Sequence, residues 1–127
     1  YPARAFGADR MLLVVPPESI LDTLAHTAIG ARYRQLLEKS GGRLPETAYL
    51  EHLAMPFSPA RFRSAVPGSS ILVAAGLHDH FVPLESSRRL ARGLGAHLRE
   101  YDTGHVTSLV ATRAVWRDGA AFLSGNR

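Results

Sequence analysis

Two residues of this chain could do acid–base chemistry together. Asp79 follows the apolar run Ile71-Leu72-Val73-Ala74-Ala75 through Gly76-Leu77-His78, and His105 closes a second glycine-led loop, Asp102-Thr103-Gly104-His105. A carboxylate that accepts a hydrogen bond from one imidazole nitrogen fixes the ring's tautomer. It leaves the other nitrogen as a base and stabilises the cation formed when that nitrogen takes a proton. The chemistry needs both side chains on neighbouring loops at one edge of a sheet, where parallel strands lie ~5 Å apart. A single Asp ahead of a helix is ordinarily a turn or capping residue, and a single loop histidine ordinarily bonds to backbone. Their order, with a helix and a strand between them, favours the pair.

The elements that must position them can be read from the apolar pattern. Residues 11–15, Met-Leu-Leu-Val-Val, are closed by Pro16-Pro17 and are too short for a helix, so they read as a buried parallel strand. Residues 71–75 form a second strand after the turn Pro67-Gly68-Ser69-Ser70, and 97–101 form a third with alternating character. Gly76 permits the close turn after the second strand, and Pro83 suits the first position of a helix, where its missing N–H costs nothing.

From 84 to 94, Ser87, Leu90, Ala91 and Leu94 share one helical face, while Arg88, Arg89 and Arg92 fall mainly on the other; Gly93 and Gly95 end the helix. A last helix over about 107–123 aligns Leu109, Trp116, Ala120 and Leu123 as a buried stripe, weakened near its end by Asp118-Gly119. Strand, helix, strand, helix in this order implies parallel pairing with right-handed crossovers. Between the first two strands, 20–29, 31–39 and 46–55 read as helices separated at Gly30 and at Ser40-Gly41-Gly42. An interval of that size exceeds what a crossover needs, and its expected role is a cap over the strand ends, where open α/β sheets hold ligands.

Bulk composition narrows the partners. With 46% hydrophobic and 20% charged residues, the 127-residue chain fits one globular domain. It has no cysteine, hence no disulfide and no thiol nucleophile, which is compatible with the cytosol. No apolar run approaches the ~20 residues that span a bilayer. The net charge of +4 comes from scattered arginines, so a solvated helix face is the better reading of Arg88-Arg89-Arg92 than a nucleic-acid site. The chain opens on Tyr1 where a Met would begin a primary product, which points to a processed, truncated or excised segment.

The pattern Gly76-Leu77-His78-Asp79-His80-Phe81-Val82-Pro83, followed by a helix, a strand and Gly104-His105 before the last helix, closely resembles the C-terminal part of α/β-hydrolase fold enzymes. The match covers 71–123; residues 11–15 resemble the preceding strand, and 16–66 occupy the place of that family's variable helical lid. The resemblance implies an α/β fold of about three parallel strands with flanking helices, 67–127 carrying the acid and the base. It implies a serine hydrolase acting on a carboxylic ester or related acyl bond, with Asp79 as triad acid, His105 as general base and no cofactor.

The family's nucleophile elbow, Gly-x-Ser-x-Gly, does not occur: Ser40 has Glu38 where the first glycine belongs, and Ser69 and Ser70 precede a strand. The nucleophile, the oxyanion loop and the earlier strands are therefore expected upstream of Tyr1. The apolar strand 11–15 should then present an open edge that pairs with the upstream polypeptide or with a second copy.

Three alternatives stand beside this reading. His78, Asp79, His80 and His105 have ligand types suited to a metal-dependent hydrolase. The chain could be a non-catalytic binding module of the same fold. Glu18, after the first strand, could serve as the acid in place of Asp79, although a helix N-terminus is its more ordinary place. The other histidines, His26, His52 and His97, read as structural or exposed, and Trp116, Tyr33, Tyr49, Phe57 and Phe62 as packing residues, with one or two of the lid aromatics available to line an acyl pocket.

Overall fold

A computed structural model describes residues 9–18, 27–41, 66–110 and 112–125. Its centre is a parallel sheet in the order β1-β2-β3, formed by β1 (Met11–Val14), β2 (Ile71–Gly76) and β3 (His97–Tyr101). Met11 lies opposite Ile71, and the β2–β3 register runs from Leu72 opposite His97 to Gly76 opposite Tyr101. Every residue of β2 is buried. That follows from its unbroken apolar sequence, because only a central strand covered on both faces can hide successive residues that point opposite ways. β3 carries His97, Arg99 and Glu100 in exposed positions, as suits an edge strand.

The described residues also form the helices α1 (Ala28–Lys39), α2 (Leu84–Leu94), α3 (His105–Val110) and α4 (Arg113–Ser124). The α2 bounds match the sequence reading, and the face of Ser87, Leu90, Ala91 and Leu94 is buried, together with Ser86. Leu90, Ala91 and Leu94 pack with Ile71, Val73 and Val66, and with the partly buried Met11, Leu13 and Leu98. Each such leucine is worth about 1.5–3 kcal/mol on full burial. Gly95, left-handed at φ 66°, closes the helix. The turn before β2 needs Gly68 for a different reason: a Cβ there would lie 2.2 Å from the Leu94 carbonyl oxygen.

Two helical expectations are corrected. Gly30 does not divide the chain, because α1 runs unbroken from Ala28 to Lys39 and Thr27 Oγ1 accepts the Gly30 N–H at 3.3 Å. A capped first turn tolerates a glycine that would weaken a helix centre. The helix expected over 107–123 is instead two, α3 and α4, and its stripe is misplaced. Trp116 and Leu123 are each 48% exposed, Leu109 and Ala120 are exposed as well, and the buried residues of α4 are Val115 and Gly119.

Shape decides this face more than hydropathy does. A Cβ on Gly119 would stand 2.5 Å from Leu12 Cδ2, so the glycine is where α4 presses on β1. Leu12 pairs with Leu72, and the alternation of β2 puts Leu72 opposite in sense to Ile71 and Val73. The helices α2 and α4 therefore cover opposite faces of the sheet. The segments 20–26 and 46–55 lie outside the described residues. Among the described residues no helix is long and apolar enough to cross a membrane.

The segment after β1 is fastened to α2. Val15 has φ 44°, unusual for a β-branched residue, and its N–H is held by the Ala74 carbonyl at 2.7 Å. Beyond it, Ser87 Oγ donates to the Pro16 carbonyl at 3.0 Å, Ser86 Oγ accepts the Glu18 N–H at 2.9 Å, and Arg89 pairs with the Glu18 carboxylate at 2.6 Å. Ser87→Ala leaves the buried Pro16 carbonyl without that donor, and chemical denaturation should register a loss of about 1–3 kcal/mol. A loss below a few tenths would mean the clasp contributes nothing.

The arginines of α2 form ion pairs. Arg88 engages Glu100 at 2.8 Å, Arg92 engages Glu85 at 2.7 Å, and Arg89 engages Glu18. The group is a network of neutralised charges, and exposed pairs of this kind stabilise little.

Asp118 on α4 gathers Arg117 at 3.0 Å, Arg99 at 2.8 Å and the Tyr101 hydroxyl at 3.2 Å. The Arg117 hydrogen bond foremost, then that of Arg99, holds the Asp118 carboxyl below the usual carboxylate range. A folded pKa below the unfolded one stabilises fully above about pH 4 and fades as pH falls through the folded value. Asp118→Asn should therefore lower thermal stability at neutral pH, with the difference from wild type closing in acid. A difference that persists unchanged below the folded pKa would contradict this assignment.

Candidate functional site

The two loops at the carboxyl edge of the sheet travel side by side because strand pairing does not stop where the strands do. The Leu77 N–H donates to the Tyr101 carbonyl at 2.8 Å and the His78 N–H to the Thr103 carbonyl at 3.0 Å. Gly76 makes this approach possible: a Cβ there would lie 2.6 Å from the Thr103 oxygen. Its role is thus close backbone contact, since its φ is not among the positive ones. Thr103 and Ser108 share a hydroxyl–hydroxyl hydrogen bond that draws the start of α3 onto the same loop.

Asp79 and His105 meet. The imidazole Nδ1 and Asp79 Oδ2 are 2.9 Å apart. A carboxylate oxygen accepts, so Nδ1 is the donor, and in the neutral ring with that tautomer the lone pair is on Nε2. The other carboxylate oxygen, Oδ1, accepts the backbone N–H groups of Phe81 and Val82, each at 2.8 Å. The turn-capping role common for an Asp in this setting and the histidine-orienting role are therefore both filled, one by each oxygen. The Asp79 side chain is 1% exposed and that of His105 27%, so the acid is sealed while the ring keeps an open side. Among the described residues Nε2 has no partner. Pro83, at φ −55°, stands just ahead of the first residue of α2.

The same loops carry a second pair in the reverse sense. His78 Nε2 donates to Asp102 Oδ1 at 2.6 Å, and both side chains are largely exposed. Asp79 and His78 come from the loop after β2, His105 and Asp102 from the loop after β3, so each loop gives one acid and one base to the other. Sequence reading missed this partnership. Extending the Gly76–Tyr101 register past the strands sets His78 beside Thr103 and would have exposed it. The Phe81 ring, also unnoticed, lies with its centroid 5.2 Å from that of His105 at a 35° tilt.

His78, Asp79, His80 and His105 do not converge. His78 turns to Asp102, Asp79 to His105, and His80 is exposed. Among the described residues no group of three or more His, Asp or Glu is arranged to hold a metal ion. Glu18 is committed to Arg89 and to the clasp on α2, leaving Asp79 as the carboxylate on His105. Of the remaining candidates, Tyr33 and Trp116 are exposed and His97 lies edge-on to Phe122. His26, His52, Tyr49, Phe57 and Phe62 fall outside the described residues. Comparison with protein-family models gave no match, and comparison with curated proteins gave no relative.

Proposed function

We propose that this chain supplies the acid and the base of a serine-type acyl hydrolase acting on a carboxylic ester or related acyl bond. One observation carries the reading: a partly exposed histidine whose Nδ1 lies 2.9 Å from a sealed carboxylate, while Nε2 has no partner among the described residues. That is the electronic state of a general base. A serine from outside these 127 residues gives its proton to Nε2 as its oxygen bonds to the substrate carbonyl carbon. The imidazolium returns the proton to the leaving oxygen as the carbon–oxygen bond breaks. Water then repeats the two transfers to release the acid. Asp79 stays ionised throughout, and backbone N–H groups beyond this segment hold the oxyanion. No cofactor enters these steps.

Fluorophosphonate labelling tests the proposal on a protein that includes the upstream sequence. Labelling is expected at a serine and is expected to collapse in His105→Ala. Robust labelling indifferent to that substitution ends the assignment, and absence of any nucleophile favours a binding module instead.

Among the described residues β1 pairs with β2 alone. We propose that its other edge receives a strand from upstream polypeptide or, without one, from a second copy. Sedimentation of the isolated 127 residues should then depend on concentration. A stable monodisperse monomer in dilute solution would contradict it.

A further inference from the structure

The helix that begins at His105 is inside out. The buried residue of α3 is the polar Ser108, while Val106 is 58% and Leu109 39% exposed. The hydrogen bond between Ser108 and Thr103 explains the inward serine, but among the described residues nothing in the packing explains an outward apolar face. Exposed apolar surface that is contiguous with a reactive group ordinarily marks where a ligand sits.

One apolar side chain lies against the imidazole, and another shares its side of the helix. Leu109 stands one helical turn beyond His105 and on the same side of α3, the spacing at which side chains meet. Phe81 comes from the loop after β2, is 39% exposed, and lies against the His105 ring. Its backbone cannot drift, because the Phe81 N–H is held by the same Asp79 carboxylate that orients His105.

We infer that Phe81, Val106 and Leu109 seat the leaving group of the substrate, and that this group is an apolar aryl or alkyl alcohol. The inference rests on the acyl-hydrolase reading. In acyl transfer the protonated base hands its proton to the leaving oxygen, so whatever is bonded to that oxygen lies beside the base. Here an aromatic ring lies against the base, and the helix that begins at the base exposes aliphatic side chains. The neighbouring charges, His78 and Asp102, satisfy each other, and the arginines of α2 are held by carboxylates. Phe81 is thus a specificity-determining residue.

The 127-residue chain itself can be tested, with ¹⁵N-labelled histidine and benzyl alcohol as a leaving-group mimic, against glycerol as its polar counterpart. Benzyl alcohol should shift the His105 ring resonances in a saturable way, and glycerol should not. Phe81→Ala should weaken the benzyl alcohol interaction roughly twofold to tenfold. Leu109→Gln, on an exposed helix position, should weaken it too and serves if Phe81→Ala does not fold. Equal response to the two alcohols, or undiminished binding in both variants, overturns the inference. The same spectra report the tautomer of His105. If Nδ1 stays protonated while benzyl alcohol fails to bind, the seat is wrong and the acid–base pair survives. If the tautomer is not held, both readings fall.

Discussion

Exchanging Asp79 for Asn is expected, on the proposed acyl-hydrolase reading, to slow acylation of the proposed serine about 10⁴-fold, with the fold retained. The structure shows why so small a change should cost so much. Oδ1 of Asp79 is occupied by the N–H groups of Phe81 and Val82. The asparagine carbonyl must remain on those donors, so its NH₂ replaces Oδ2 and points at the imidazole. An NH₂ cannot accept from Nδ1–H, and the ring is driven to the tautomer protonated on Nε2. That form has no lone pair where the serine proton must go. His105→Ala, which removes the base outright, should fall in the same range, and the double variant should be scarcely worse than either single one. Fluorophosphonate labelling rates provide the measurement. An Asp79→Asn protein within tenfold of wild type would mean that the pairing is structural.

Gly76→Ala should be the most damaging of the conservative substitutions near the site. The added Cβ meets the Thr103 carbonyl oxygen at 2.6 Å and Ser108 Oγ at 3.2 Å, and a backbone oxygen cannot move without its loop. That oxygen also holds the His78 N–H. Overpacking of this kind costs about 1–3 kcal/mol, and the displaced loop is the one that bears His105. Denaturation should report the stability loss, and the ¹⁵N shifts of His105 should report a weakened grip by Asp79. Gly104→Ala makes the comparison sharp, because its Cβ would meet only the His78 carbonyl at 3.4 Å and Thr107 Oγ1 at 3.7 Å, ordinary contacts. It should stay within about 0.5 kcal/mol of wild type. Equal effects from the two substitutions would mean that the close approach at Gly76 is not as described.

The strands and α2 were legible because burial on both faces of a central strand leaves an unbroken apolar run, and burial on one face of a helix leaves a period. Asp79 and His105 were legible as a pair because strand order, not side-chain detail, brings their loops together. The face of α4 was not. Hydropathy favours Trp116 and Leu123, while the close contact with Leu12 falls at Gly119, which has no side chain, and periodicity scores what is present. The reciprocal contact of His78 with Asp102 escaped for a related reason: it depends on register continuing beyond the strands. Gly76 was flagged correctly and explained wrongly, since its sequence context resembles a turn while its work is done across the sheet.

The two amide hydrogen bonds on Asp79 have a consequence of their own. The carboxylate is anchored by its own peptide segment, independently of the ring it serves, so deleting the imidazole leaves the anchor standing. A His105→Gly protein would keep an aimed acceptor beside an imidazole-sized space. Free imidazole supplied in the buffer would find half of its binding site already built, and the activity proposed above could be restored chemically, without reverting the gene.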